Sequence, residues 1–142
     1  MIILNIEPHA KPQGTPNWGN KTWDNYFQWR DRFTDELLNK RLSVDDLFIP
    51  FEARFFVSKG FSKKNIGKPR DKRPDYDNYL KAFTDAWYGG FQKITGERRD
   101  DGCVWGGYGL KFYSPVAFIQ IVPATIPDRS DIIKVIQSQL YK

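Results

Sequence analysis

The most restrictive feature of this 142-residue chain is a long amphipathic period in its first third. Between residues 23 and 42 the apolar side chains recur largely at intervals of three and four, the spacing of one face of an α-helix. They are Trp23, Tyr26, Phe27, Trp29, Phe33, Leu37, Leu38 and Leu42. We therefore predict a helix over residues 23–42 and expect Trp23 to be a buried anchor.

Four segments have the character of β-strands. Residues 2–6 form a short β-branched run, and residues 47–58 alternate between apolar positions, with Pro50 indicating an edge strand or a late start. Residues 104–113 and 116–122 are two further strand segments joined by a short turn. Because they follow each other so closely, we expect these two to pair as a hairpin.

Two more helices are predicted after the second strand. A proline precedes Asp75, so Asp75 is a suitable N-cap for a helix over residues 75–88, which the following Gly-Gly pair should stop. Residues 131–140 predict a short final helix capped by Ser130 or Asp128.

These elements predict an α+β fold with a small mixed sheet of about four strands, two main helices packed on it and a short C-terminal helix. A chain of this length can bury roughly 68 to 70% of its unfolded surface in one core, whereas two cores would be marginal. We therefore expect a single domain over residues 1–142. The hydrophobic fraction of 40% is sufficient for a packed interior.

Positive charge is concentrated in one part of the chain. Residues 54–73 contain eight basic residues and one acid, Asp71, although the whole chain carries a formal charge of only +5. Such a local excess favours a polyanionic partner, most commonly nucleic acid, with a solvated surface loop as the alternative. We expect residues 59–73 to be a flexible loop whose DNA-binding side chains are Lys63, Lys64, Lys68, Arg70, Lys72 and Arg73.

Cys103 and His9 are the only residues of their types, which excludes an intrachain disulfide and a four-cysteine zinc site. Any metal must therefore be held mainly by carboxylates. The N-terminus lacks the pattern of a secretory signal, and no apolar run approaches the roughly 18 residues of a membrane span. We expect a cytoplasmic protein with no membrane partner and no nucleotide cofactor.

An acidic cluster follows the basic segment. Residues 77, 81 and 85 are spaced by four, so on a helix they form one ridge over successive turns. A further acidic pair returns where the next strand begins. The cluster consists of Asp75, Asp77, Lys81, Asp85, Asp100 and Asp101.

This cluster suits a hard divalent cation. Asp75 and Asp77 stand at a helix start, which favours ionised carboxylates, and could share an ion. If Asp100 and Asp101 approach them, several carboxylates converge from two elements, which suits Mg²⁺ bound together with a phosphodiester. Lys81 would then neutralise the scissile phosphate or help to position a water. The spacing therefore favours a metal-dependent nuclease.

The same residues also permit a purely structural interpretation. Asp75 can be only a helix cap, Asp77 with Lys81 a surface pair contributing roughly 0.3 to 0.5 kcal/mol, and the acidic pair a solvated turn. The basic segment would then belong to a non-catalytic DNA-binding module.

The pattern Asp-x-Asp-Asn-x-x-Lys, with another Asp four residues on and an Asp-Asp pair entering a strand, resembles the RusA family of Holliday-junction resolvases, which prophages often carry. The core of this resemblance covers residues 72–111. It implies a RusA-like α+β homodimer that uses Mg²⁺, with Mn²⁺ as a substitute, to nick two strands symmetrically at a four-way DNA junction in recombination and repair. A nuclease for other branched DNA is the related alternative.

The resemblance also assigns roles to single residues. Asp75, Asp77 and Asp101 match the essential metal-binding acids, and Lys81 matches the catalytic lysine. Asp85 and Asp100 match further acidic positions and are additional candidate ligands. Lys111 resembles a basic residue on the strand after the acidic pair and is expected to contact the DNA backbone.

Overall fold

The fold combines a four-stranded mixed sheet with two long helices and a short C-terminal helix, which confirms the predicted α+β class. The computed structural model describes residues 2–17, 19–42, 51–96 and 106–141. In chain order the elements are β1 (Ile2–Leu4), α1 (Lys21–Lys40), β2 (Phe51–Val57), α2 (Tyr76–Thr95), β3 (Gly107–Tyr113), β4 (Phe118–Pro123) and α3 (Arg129–Leu140).

The strands lie in the order β1-β4-β2-β3. β2 is parallel to β3 and antiparallel to β4, so the predicted hairpin between the last two strands is wrong. The segment between them crosses the end of β2, where the Ser114 amide donates to the Val57 carbonyl at 3.0 Å. Because β2 has a neighbour on each side, the edge position suggested for it is also wrong. Its start at Phe51 fits the alternative of a late start.

The amphipathic period forms α1, two residues ahead of its predicted bounds at each end. The Asn20 side chain caps the helix by accepting a hydrogen bond from the Thr22 amide. The apolar face of the helix is buried as expected, and Trp23 is an anchor within it. The buried residues of α1 are Trp23, Tyr26, Trp29, Phe33, Thr34 and Leu37.

The core lies between the sheet and the two long helices. Phe83 of α2 meets Phe51 of β2 and Phe33 of α1 edge to face, with ring centroids 5.1 and 5.8 Å apart. Phe55 of β2 stacks on Tyr79 of α2 at 5.5 Å. Aromatic burial of this kind dominates core energetics and fixes α2 against the sheet.

Helix α2 continues through the Gly-Gly pair that was expected to stop it, and ends at Gly96 in the left-handed conformation (φ 75°). The reason is helix packing. A Cβ atom at Gly89 would stand 2.7 Å from the Arg30 guanidinium, and one at Gly90 would stand 2.7 Å from Cδ1 of Leu37. The two glycines therefore permit the close approach of α1 instead of terminating α2.

The basic segment after β2 is built onto the sheet instead of being the flexible loop expected from its composition. Its backbone follows the outer edge of β3: the Gly67 amide donates to the Tyr113 carbonyl, the Tyr113 amide donates to the Lys68 carbonyl, and the Arg70 amide donates to the Lys111 carbonyl, at 2.9, 3.0 and 2.9 Å. Backbone groups on a strand edge need partners, and this segment supplies them.

The C-terminal helix α3 begins two residues before its predicted start. Asp128 is its N-cap and accepts a hydrogen bond from the Ser130 amide at 3.4 Å, which selects one of the two predicted caps. None of its residues is buried.

Candidate functional site

Asp75 and Asp77 lie at the start of α2, as predicted. Asp75 is the N-cap residue with extended backbone angles, but its side chain forms no capping hydrogen bond with the helix. Asp77 follows in the first turn. Both carboxylates therefore lie where the helix dipole stabilises negative charge. The Asp75 carboxylate is not engaged by the backbone amides of the helix.

A pocket of about 500 Å³ opens at this helix start. One wall is the irregular segment 11–14 and the other is the beginning of α2. Its lining residues are Lys11, Pro12, Gln13, Gly14, Asp75, Asp77, Asn78 and Lys81. The pocket thus brings two acids and two lysines to one open space, which suits a hard cation together with an anionic oxygen.

Lys81 points toward Asp77, with 3.8 Å between Nζ and Oδ2. Both side chains are at least half exposed, at 64% and 50%. An exposed pair one helical turn apart contributes only about 0.3 to 0.5 kcal/mol. Lys81 can therefore exchange Asp77 for a phosphate oxygen with little loss of stability.

Lys11 is fixed to α2 by two contacts. Its Nζ donates to Asp85 at 2.7 Å, and its backbone amide donates to the Asn78 carbonyl at 3.1 Å. The Tyr26 hydroxyl approaches the same Asp85 oxygen at 3.4 Å. These contacts hold segment 11–14 beside the start of α2 and so form one wall of the pocket.

Asp85 is not among the residues that line the pocket. Its carboxylate is engaged by Lys11 and Tyr26, so its position fits support of the pocket wall better than direct metal ligation. Lys11 is the site residue that sequence reasoning missed. It lies in a segment rich in Pro and Gly, and no local period connects it to a partner 74 positions away.

Two predicted DNA-binding cations instead hold the backbone that leads into α2. The Lys111 ammonium donates to the carbonyls of Lys72 and Pro74, the latter at 2.7 Å. The Arg70 guanidinium donates to the carbonyls of Lys72 and Arg73 at 3.0 and 2.8 Å. Burial, reinforced by the nearby Arg70 cation, lowers the pKa of Lys111. Together the two side chains set the position from which Asp75 projects.

These placements bear on two members of the predicted DNA-binding set. Arg70 is only 5% exposed, and its guanidinium also lies over the Tyr113 ring with 5.8 Å between Cζ and the ring centroid. Direct contact between Arg70 and a DNA backbone does not fit this burial. Lys111 directs its ammonium at the protein backbone, so contact with a phosphate would compete with two hydrogen bonds.

The remaining predicted cations are on the surface. Asn65 stabilises the turn that contains Lys63 and Lys64. Its Oδ1 accepts a hydrogen bond from the Ser62 amide at 2.7 Å, and its side-chain amide donates to the Gly60 carbonyl at 3.0 Å. The positively charged side chains of this segment therefore project from a hydrogen-bonded backbone. The exposed cations are Lys63, Lys64, Lys68, Lys72 and Arg73.

A second cavity, also of about 500 Å³, shares Lys11 and Pro12 with the acidic pocket. Its lining includes Pro8, His9 and Tyr79. It is largely apolar and adjoins the charged pocket.

Asp100 and Asp101 lie outside the described residues, so the structure gives no position for the predicted third acid. Among the residues that it does describe, no three or more His, Cys, Asp or Glu side chains form a metal-binding group. Mg²⁺ retains several waters and is commonly held by one or two protein carboxylates together with phosphate oxygens. Asp75 and Asp77 in one open pocket fit that donor set.

No helix within the described ranges is long and apolar enough to cross a membrane. A scan against protein-family models finds no match to this chain, and a search of curated proteins finds no significant relative.

Proposed function

We propose that this protein is a Mg²⁺-dependent endodeoxyribonuclease that resolves branched DNA, four-way junctions above all, by paired nicking as a homodimer. The observation that carries the proposal is the pocket that joins Asp75, Asp77, Lys81 and Lys11 at the start of α2. The sequence pattern around these residues resembles the RusA resolvases.

Asp75 and Asp77 would hold the ion, and Asp101 would complete the set. When bound, Mg²⁺ supplies charge neutralisation at the phosphate and lowers the pKa of a coordinated water. Lys81 binds a phosphate oxygen once it leaves its weak pair with Asp77. Lys11 positions the opposite wall of the pocket through its ion pair with Asp85.

Substrate binding rests on the exposed cations of the basic segment. The backbone of this segment is hydrogen-bonded to the edge of β3. Its last residues, just before Asp75, are held by the side chains of Arg70 and Lys111. The phosphate-binding surface and the metal-binding acids are therefore connected through a few residues of ordered backbone. Such a connection places a bound strand in a defined relation to the acids.

Paired cutting of a two-fold symmetric junction requires two sites related by a two-fold axis. The proposed carboxylate set occurs once in the chain, so two copies must act together. Resolution of four-way junctions therefore implies a dimer, whereas a single copy would nick branched DNA without pairing the cuts.

The test is cleavage of a synthetic four-way junction by the purified full-length chain, with Mg²⁺, with Mn²⁺ and with EDTA. We expect two symmetric nicks in either metal and none in EDTA, while binding persists in EDTA. Junction binding that weakens with salt, ignores Mg²⁺ and yields no nicked product would instead establish a non-catalytic DNA-binding module. Nicks on flaps but not on four-way junctions would show that the substrate is another kind of branched DNA.

A further inference from the structure

The second cavity, which shares Lys11 and Pro12 with the acidic pocket, is lined by a buried tyrosine of α2. Tyr79 is only 5% exposed, and its ring stacks on Phe55. Within the described ranges its hydroxyl forms no hydrogen bond, although buried tyrosine hydroxyls normally do. Every fully buried polar side-chain atom of these ranges has a partner, so the Tyr79 hydroxyl must face open space. The second cavity is the open space that Tyr79 lines.

His9 brings another polar group to the same cavity. Its ring lies against Tyr26 and Trp29, with centroids 6.0 and 5.6 Å apart. Its Nδ1 lies 2.8 Å from the Ala10 carbonyl, which can only accept, so Nδ1 carries a proton. In the neutral ring Nε2 is then an acceptor, and it has no partner in the described part of the chain. Burial raises the pKa of Tyr79, so that hydroxyl is a donor.

The rest of the lining is mostly apolar and stiff. Its apolar members include Pro8, Pro12, Val57 and Pro74. Glu7 also lines the cavity, but the Arg32 guanidinium engages its carboxylate. Lys59, which follows β2 in the basic segment, lines the cavity as well. An apolar cavity of about 500 Å³ with a few polar groups is typical of a ligand site.

We propose that the second cavity receives a nucleobase, unstacked from the DNA strand whose phosphate occupies the acidic pocket. A phosphodiester carries a nucleoside on each side, and the two sites share Lys11 and Pro12. A base has flat faces for the apolar walls and a polar edge for the donor of Tyr79 and the acceptor of His9. Unstacking costs least at an unpaired or distorted position, which a branch point supplies. The inference deepens the proposed function, on which the position of the phosphate rests.

The experiment uses His9 as a probe, because it is the only histidine of the chain and its ring protons give separate NMR signals. The full-length protein is titrated with a single-stranded hexanucleotide of mixed sequence and with an abasic hexanucleotide that has the same number of phosphates. Both titrations are run in EDTA and in Mg²⁺. We expect the His9 ring signals to shift with the first ligand but not with the abasic one.

Tyr79→Phe removes the unpartnered hydroxyl and keeps the ring that stacks on Phe55. We expect it to weaken hexanucleotide binding about five- to tenfold and to leave abasic binding unchanged, since one hydrogen bond to the base is lost. Tyr141→Phe, at an exposed tyrosine, is the matched control and should bind as the native protein does.

Three outcomes would overturn the proposal: no shift of the His9 signals in either solution, equal shifts with the abasic ligand, or native hexanucleotide binding by Tyr79→Phe. The readout does not depend on cleavage. A base-dependent shift in a protein that never nicks DNA would support the cavity while the nuclease proposal fails. Nicking of junctions without that shift would mean the reverse.

Discussion

Lys11 and Asp85 form an ion pair across 74 positions of the chain, with 2.7 Å between Nζ and Oδ2. The pair joins an irregular N-terminal segment to the middle of α2, and the Tyr26 hydroxyl adds a contact from α1. The acidic pocket exists because this connection holds residues 11–14 opposite Asp75 and Asp77. A residue with no place in the acidic pattern therefore shapes the site.

If the proposed nuclease activity holds, loss of the Lys11 charge should impair cleavage without removing the proposed metal-binding acids. We expect Lys11→Met to lower the junction-cleavage rate about tenfold, the equivalent of about 1.4 kcal/mol, and to destabilise the fold by about 1 kcal/mol. Lys21→Met, at the exposed first residue of α1, is the matched control.

The ion pair also predicts a specific double-mutant result. If Lys11 acts through Asp85, the variants Lys11→Met and Asp85→Asn should be non-additive in single-turnover cleavage, since each removes the same connection. Lys11→Arg should restore much of the rate. Independent, additive losses would mean that Lys11 contributes in some other way.

The acids themselves should be indispensable for chemistry but not for binding. We expect Asp75→Asn, Asp77→Asn and Asp101→Asn each to abolish Mg²⁺-dependent cleavage, because the carboxylate charge that holds the ion is lost while shape is retained. Junction binding in a gel-shift assay should persist. Asp35→Asn, an exposed acid on α1, is the control. Normal cleavage by any of the three variants removes that acid from the mechanism.

Cations of the basic segment should divide into two groups. Lys64→Ala removes an exposed charge, so it should weaken junction binding and reduce the slope of log affinity against log salt by about one. Arg70→Ala removes a buried guanidinium that holds backbone carbonyls, so it should lower stability instead. Thermal unfolding beside binding titrations separates the two effects. A stable Arg70→Ala variant with only a reduced salt slope would place Arg70 at the DNA after all.

The two glycines in α2 should respond differently to the same substitution. In Gly90→Ala the new methyl group meets Leu37, which is buried and cannot move away. We therefore expect the free energy of unfolding to fall by about 1 to 3 kcal/mol. In Gly89→Ala it meets the flexible end of Arg30, so the helix preference for Ala should leave stability unchanged or raised by up to about 1 kcal/mol. Denaturant unfolding of both variants measures the difference. Equal losses would contradict this account of the helix contact.

Glu7 should contribute to acid sensitivity. Partial burial alone would raise the pKa of Glu7, but hydrogen bonds from Arg32 and the Arg32 charge outweigh it and lower that pKa below its ordinary value of 4.5. The unfolded chain then binds the proton more readily than the folded one, so this stabilisation is present above pH 4.5 and is lost as pH falls through the folded pKa.

The variant Glu7→Gln isolates this contribution. We expect its stability to fall less than that of the native protein as the pH drops below 4.5, with the two curves parallel at neutral pH. Because both side chains are about half exposed, the difference should shrink in high salt. Identical profiles of stability against pH for the native protein and Glu7→Gln would show that the pKa of Glu7 is the same in the folded and unfolded states.

Local patterns are sufficient to locate the helices and to place Asp75 and Asp77 at the start of α2. The period over residues 23–42 specifies α1, because side chains three and four apart share one helix face whatever surrounds them. Asp75 occupies the N-cap position of α2, because the preceding proline disfavours helix before it. The positions of Asp77 and Lys81 on one ridge follow directly from that start.

The packing of these elements on one another does not follow from local patterns. Insertion of β2 between β3 and β4, passage of α2 through Gly89 and Gly90, and the contact of Lys11 with Asp85 all depend on partners distant in the chain. The burial of Arg70 and its hydrogen bonds to backbone carbonyls likewise depend on the edge of β3, which is distant in sequence. Local patterns report only on neighbours within a turn or a strand. Strand order, helix contacts and long-range ion pairs are instead set by what the whole chain must bury.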